Sequence, residues 1–325
     1  MAARVESAER DPMAERESHV EPACRFAEPG VALAVSRAVY RGELDLSARP
    51  RAPAQGWEAG FDVAIVRDLR RQGAGAADAR RFITFVAAME RVRDSEPLWR
   101  RAQGLYEHES WLFSPREVVE RPLGVLRETL TSAGVSQKHQ PDSAAWHRIA
   151  ASLVERAASV VNDAIETGTG HVPDLLAALR ARGVDGRALF PLLRGEKIGP
   201  MWVRMLVDPG EARLTGLDAL PVAVDTHTRT ATECLGVVPA IPGGCDERAV
   251  RAAIQEAWMR DVRARGAEGP PALAGTCAAL DPALWFFGKW GCSFCKRWRA
   301  RKPIAAVCSR CTLPTRGWGG LTRPA

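Results

Sequence analysis

The chain has 325 residues, which is enough to bury a sizeable core in one large domain or two smaller ones. Its formal net charge is +6 and most of its basic residues are arginine, a composition that suits a phosphate-bearing partner as well as ordinary solubility. No apolar run approaches the roughly 20 residues that a membrane span needs, so we expect a cytoplasmic protein with reduced thiols and no membrane partner.

The first quarter of the chain carries few structural signals. Residues 1–30 mix charges, Ala and Pro without an apolar period, which predicts a disordered leader. Residues 31–77 keep a high Pro and Gly content with only short apolar patches, so we expect a poorly defined N-terminal extension there.

A helical domain is predicted over residues 78–280. Apolar residues recur there at three- and four-residue steps, which is the stripe of an amphipathic helix. Almost nothing alternates with a period of two, so we predict an all-α fold. The stripes and their turns predict helices over 79–93, 97–107, 115–133, 143–167, 172–182, 226–235, 246–265 and 282–290.

A hairpin between two helices is predicted near 193–206, where Gly195 and Gly199 bracket a short turn and Ile198 precedes the second glycine. Such a turn exposes backbone N–H groups at a helix N-terminus, where a phosphate can bind. The same pattern is also typical of an ordinary corner between two helices, and the turn alone does not decide between the two.

Four cysteines near the C-terminus have the spacing Cys-x2-Cys-x12-Cys-x2-Cys: Cys292, Cys295, Cys308 and Cys311. Two such pairs can place four thiolates around one metal centre, so we expect a metal module over 281–311. The spacing does not separate a structural zinc from a four-iron cluster. A loose Pro- and Gly-rich tail is predicted over 312–325.

The segment 221–231 reads PVAVDTHTRTA and follows the predicted hairpin and an apolar helix. This order of hairpin, apolar helix and Val-Asp-Thr-His loop resembles the helix-hairpin-helix base-excision DNA glycosylases, the endonuclease III family. The resemblance covers about residues 78–311 and is most specific at 221–236 and 284–311. It implies a two-lobed helix-hairpin-helix glycosylase fold with a C-terminal four-cysteine cluster loop.

The resemblance also implies roles for individual residues. Asp225 matches the catalytic aspartate, which lies in a pocket for a flipped-out base. Asp is also a favoured N-cap, and a capping role for Asp225 alone stays open. Gly195, Ile198 and Gly199 match the hairpin that grips the DNA backbone. Double-stranded DNA is the implied partner, bound by a monomer in the cytoplasm at the nucleoid.

The C-terminal region matches the family with one departure. The fourth family cysteine, a few residues past the second Cys-x2-Cys, is absent, and Cys295 is the obvious substitute. On resemblance we favour a [4Fe–4S] cluster over one structural zinc. Arg299, Arg301 and Lys302 match the family's basic loop and would track DNA phosphates, although a solvated charged loop is the alternative.

Bifunctional members of the family carry a lysine on the helix after the hairpin, which forms a Schiff base with the sugar. Met201 occupies that position here, and Lys197 lies within the turn. We therefore expect a monofunctional DNA repair glycosylase that hydrolyses the N-glycosidic bond of a damaged or mismatched base. Glu90 and Arg91 fall where the family fills the hole left by that base.

Two rival hypotheses remain. One is a catalytically inactive iron–sulfur or zinc DNA-binding protein of the same fold, which the missing lysine and the unusual cysteine arrangement favour. The other is a zinc-ribbon factor that binds RNA or protein, in which Asp225 has no catalytic role.

Overall fold

The computed structural model describes residues 30–42, 60–91, 93–235, 237 and 246–292. In these ranges the protein is helical, with one small parallel sheet, and the predicted all-α class is confirmed. The helices are α1 (Val31–Tyr40), α2 (Phe61–Arg71), α3 (Ala76–Ala88), α4 (Ser95–His108), α5 (Pro115–Glu120), α6 (Leu123–Ser132), α7 (His139–Val154), α8 (Ser159–Glu166), α9 (Val172–Leu179), α10 (Ile198–Val207), α11 (Thr226–Cys234), α12 (Glu247–Arg265) and α13 (Cys277–Phe286). Short 3₁₀ turns lie at Ser110–Phe113 and Leu217–Ala219, and a π-helical turn at Phe287–Cys292 continues α13. None of the helices described here has the length and apolarity that crossing a bilayer requires.

Two of the predicted helices are each two helices in the structure. The stretch 115–133 divides into α5 and α6 at Pro122, which disfavours the helical conformation of Arg121 before it. The stretch 143–167 divides into α7 and α8. Asn162 Nδ2 donates to the Leu153 carbonyl at 2.7 Å, so a buried side chain satisfies a backbone group at the end of α7.

Helices α1 and α2 lie within residues 31–77, where the sequence pattern predicted no helix. Helix α1 packs against α12 and α13, and α2 packs against α3 and α4. Asp261 of α12 accepts hydrogen bonds from the backbone N–H groups of Gly30 and Ala32, both at 2.6 Å, and so caps α1 from a distant part of the chain. This tertiary cap is invisible in the local sequence.

The small sheet pairs strands β1 (Thr169–His171) and β2 (Arg213–Thr215) in parallel. Strands of three residues are too short to show an alternating pattern, which explains why the sequence did not predict them. The buried guanidinium of Arg80 joins the same region by donating to the carbonyls of Ile165, Glu166 and Gly210.

The helices form two groups. Helices α1, α11, α12 and α13 pack with one another, and helices α2 to α9 form a second group. Helix α10 contacts α3 and α9 on one side and α13 on the other, and so links the two groups. The largest fully buried side chains are four tryptophans: Trp99, Trp146, Trp202 and Trp258. Trp202 donates to Thr84 Oγ1 at 3.0 Å, so it is a core residue.

Candidate active site

Asp225 is the N-cap of α11. Its Oδ1 atom accepts hydrogen bonds from the backbone N–H groups of His227 and Thr228, both at 2.8 Å. Its Oδ2 atom lies 3.9 Å from Lys197 Nζ, and 15% of the side chain is exposed. One carboxylate oxygen therefore caps the helix while the other faces a lysine, so capping and a chemical role are compatible.

Of the hairpin predicted near 193–206, the structure forms a turn and then the single helix α10. Residues 180–197, between α9 and α10, contain turns and bends, so no helix directly precedes this turn. The Gly195 carbonyl accepts a hydrogen bond from the Gly199 N–H at 2.8 Å, and Ile198 is the first residue of the helix. A Cβ on Gly199 would lie 3.2 Å from the Leu193 carbonyl oxygen, which is tighter than most side chains tolerate. The turn is therefore compact, and Lys197 at its end extends toward the start of α11.

A pocket between α2, α4, α10, α13 and the segment before α11 contains Asp225 on its wall. Its charged lining residues are Asp62, Glu90, Lys197, Arg204, Asp225 and Asp281. Its apolar lining includes Phe61, Met201, Met205, Trp285 and Phe286. Apolar walls with a few convergent charged groups are typical of a small-molecule or nucleobase site.

Glu90 lies inside this pocket, whereas the sequence assigned it with Arg91 to a surface that fills a gap in DNA. Trp99 Nε1 donates to its Oε1 atom and fixes the side chain. Burial raises the pKa of the Glu90 carboxyl, against the attraction of Lys197. Arg91 instead pairs with Asp142 at 3.1 Å.

Arg204 and two carboxylates form the floor of the pocket. The Arg204 guanidinium, with 6% of its side chain exposed, lies 2.9 Å from Asp62 Oδ2 and 3.7 Å from Asp281 Oδ2. Asp281 Oδ1 also accepts the backbone N–H of Ala223 at 2.9 Å. Burial raises the pKa of Asp281 to about 6, against the attraction of Arg204. Burial therefore raises the pKa of two pocket carboxyl groups, Glu90 and Asp281.

A wider, open groove shares Lys197 and Asp225 with the pocket and runs outward between α11 and α12. Two of its arginines, Arg229 and Arg251, are paired with acidic residues, and Arg251 lies 3.1 Å from Glu196. Arg229 contacts Glu233 at 3.1 Å and Glu247 at 2.8 Å. Each pair offsets positive charge along this part of the groove.

Cys292 is the last residue of the π-helical turn after α13. The other predicted ligands and the basic loop lie outside the described residues: Cys295, Cys308, Cys311, Arg299, Arg301 and Lys302. The part of the chain that is described contains no group of three His, Cys, Asp or Glu residues suited to a metal. Three of the four predicted ligands lie outside the described residues. The metal prediction therefore rests on the ability of four thiolates to bind one metal centre.

Comparison with protein-family models, curated proteins and solved structures finds no significant match to the chain.

Three groups of the pocket were missed by sequence reasoning: Arg204, Asp62 and Asp281. The sequence does contain an indication for Arg204, because this residue is the one cation inside the apolar stretch 198–207 that forms α10. A charged residue in a buried helix is almost always paired, which predicts carboxylate partners but not which ones. Asp62 and Asp281 come from distant parts of the chain.

Proposed function

We propose that the chain is a DNA repair glycosylase that hydrolyses the N-glycosidic bond of a damaged or mismatched base, with Asp225 as the catalytic carboxylate. The observation that carries the proposal is the different use of the two carboxylate oxygens of Asp225: Oδ1 caps α11, and Oδ2 lies near Lys197, which lines the same pocket. The helix N-terminus holds the carboxylate in place on the wall of a pocket that also contains Glu90 and Lys197.

In the proposed reaction the bond between C1′ and the base breaks, and its electron pair leaves with the base. The sugar gains oxocarbenium character, which the carboxylate of Asp225 stabilises electrostatically. Water adds to C1′ and passes its proton to Asp225. The products are a free base and an abasic site.

Glu90 is the proposed source of the proton that the departing base takes up. It lines the same pocket as Asp225, and its raised pKa favours the neutral acid. Two carboxyl groups with different environments in one pocket are a common basis for dividing acid and base roles.

Lys197 supports a second candidate function, glycosylase with lyase activity. Its amine lies 3.9 Å from Asp225 Oδ2, whereas Met201, at the position of the family's lysine, has a thioether that cannot form an imine. In this version neutral Lys197 attacks C1′ as the base leaves, and a Schiff base with the opened sugar follows. An inactive DNA-binding protein of the same fold is the remaining alternative.

We propose double-stranded DNA as the partner, bound by a monomer. The compact turn at Gly195, Ile198 and Gly199 is proposed to contact the DNA backbone, and Lys197 of the same turn lines the open groove together with Asp225. The thiolates of Cys292, Cys295, Cys308 and Cys311 would hold the [4Fe–4S] cluster or one zinc. Such a centre would order the basic loop that contains Arg299, Arg301 and Lys302.

The experiment is a screen of duplexes, each with one damaged or mismatched base. The proposal expects release of a free base from at least one duplex, and a strand break only after alkali. Binding to DNA without release of any base across the panel would favour the inactive DNA-binding protein instead.

A further inference from the structure

One face of the last described helix contacts the segment of Asp225 on both sides of that residue. Asp281, Trp285 and Gly288 follow one another at steps of four and three residues, which places them on the same face of α13 and its π-helical continuation. Asp281 accepts the backbone N–H of Ala223, two residues before Asp225, at 2.9 Å.

The other two residues of this face contact His227, two residues after Asp225. The rings of Trp285 and His227 pack edge to face with centroids 5.8 Å apart. Gly288 lies against the backbone of His227 so closely that a Cβ would overlap the His227 carbonyl and lie 3.0 Å from its Cα. Backbone atoms cannot yield as a flexible side chain does, so a side chain at residue 288 would displace the start of α11.

Asp281, the first residue of this face, is itself held in place by an ion pair. Arg204 of α10 lies between Asp281 and Asp62, and all three side chains are nearly buried. A buried charge that has lost its partner is costly, which keeps Asp281 next to Arg204 and therefore next to Ala223. The N–H donors to Asp225, from His227 and Thr228, belong to the backbone that Gly288 touches.

We infer that this face of α13, formed by Asp281, Trp285 and Gly288, positions Asp225 for the reaction, and that Asp281 and Gly288 are positioning residues. The inference rests on the proposed function. A displacement of a reacting group by about 1 Å can cost on the order of 10²-fold in rate. The π-helical continuation of this helix ends at Cys292, the first of the four predicted ligands.

The decisive variant is Gly288→Ala, with Gly104→Ala as the matched control. Gly104 lies inside α4, and a Cβ there meets no atom within 4 Å. We expect Gly288→Ala to lower single-turnover base release on the order of 10²-fold, with the affinity for a duplex containing an abasic analogue changed less than about threefold. Gly104→Ala should leave both unchanged. Equal release by wild type and Gly288→Ala would overturn the inference and leave the proposed glycosylase intact.

Two further measurements keep the inference testable when Gly288→Ala folds poorly or wild type releases no base. Asp281→Asn retains an oxygen for the Ala223 N–H and Asp281→Ala does not, so the first should release base much faster than the second. Hydrogen exchange at the amides of His227 and Thr228 needs no activity. It should be faster in Asp281→Ala than in wild type or in Gly104→Ala, and unchanged exchange would overturn the inference.

Discussion

Lys197 Nζ lies 3.9 Å from Asp225 Oδ2, although the two residues belong to different elements, the end of the hairpin and the N-cap of α11. The pairing brings the amine of this turn to the carboxylate proposed for catalysis. It also makes Lys197 the amine to test for imine formation in the pocket.

Borohydride trapping separates hydrolysis from lyase chemistry. With Met201 at the family's lysine position, we expect no covalent adduct between wild type and a cleaved duplex, because reduction captures only an imine. Lys197→Gln and Lys138→Gln, the latter at an exposed lysine, are the matched variants. An adduct in wild type and Lys138→Gln that disappears in Lys197→Gln would contradict the monofunctional prediction and assign the lyase amine to Lys197.

Asp225→Asn should keep duplex binding and lose base release by about 10²- to 10⁴-fold. The amide keeps an oxygen that caps α11 but has no negative charge for the sugar cation. Asp246→Asn is the matched control, since Asp246 is the exposed N-cap of α12 and accepts the Arg248 N–H at 3.0 Å. Single-turnover release and thermal unfolding are measured for both variants. Undiminished release by Asp225→Asn would mean that the residue serves only as a cap.

The sequence predicted much of the helical framework because a periodic apolar stripe reports directly on a buried helix face. Helices α4, α11 and α12 were predicted to within about two residues at each end. Helix α1 was not predicted, because its sequence is mostly Val and Ala and its N-terminus is capped by Asp261 from α12.

The candidate site likewise contains residues that a local sequence pattern indicates and contacts that no such pattern indicates. Asp225 could be singled out as a candidate because it lies in a contiguous string, and the cap that it forms on α11 follows from that string. The contacts of Asp62 with Arg204, and of Gly288 with His227, depend on how distant helices pack. No local pattern encodes such contacts, and single-sequence reasoning could not place them.

Asp281 should make stability depend on pH. Its folded pKa is about 6, against an ordinary value of 3.8, so the native state binds this proton more tightly than the unfolded chain does. Stability from this group is therefore greatest below about pH 4 and falls as the pH rises to about 6. This difference between the two pKa values corresponds to about 3 kcal/mol in the free energy of unfolding.

Asp281→Asn removes this titration, and urea unfolding at about pH 4 and pH 7 measures the effect. Relative to wild type, the free energy of unfolding of the variant should improve by about 3 kcal/mol between those pH values. Asp246→Asn, at an exposed helix cap, is the control. A difference between Asp281→Asn and wild type that does not change with pH would show that Asp281 does not titrate in this window.

DNA binding should depend strongly on salt, because phosphate contacts release counterions. Replacing Arg299, Arg301 and Lys302 with Gln should reduce the slope of log K against log salt by roughly one unit for each lost contact. Replacing Arg100, Arg116 and Arg260, which are exposed and lie on other helices, is the charge-matched control. If both triple variants show the wild-type slope, the basic loop is solvated and does not contact DNA.

Cys295→Ser should remove the metal centre. Cys295 is one of the four proposed ligands, and four thiolates are needed to complete either a zinc site or a four-iron cluster. Ligation supplies folding free energy to a segment with little core of its own, so its loss should make residues after Cys292 sensitive to protease. Metal and sulfide analysis of the purified protein distinguishes the two centres: iron with sulfide in a brown protein supports the cluster, and zinc in a colourless one supports the alternative.

Cys277→Ser is the matched control for the cysteine prediction. Cys277 is buried at the start of α13, and burial raises its thiol pKa to about 12, which disfavours the thiolate that a metal requires. The control should therefore keep its full metal content and its resistance to protease. Full metal content in Cys295→Ser, with loss in Cys277→Ser, would overturn the assignment of Cys292, Cys295, Cys308 and Cys311 as the ligand set.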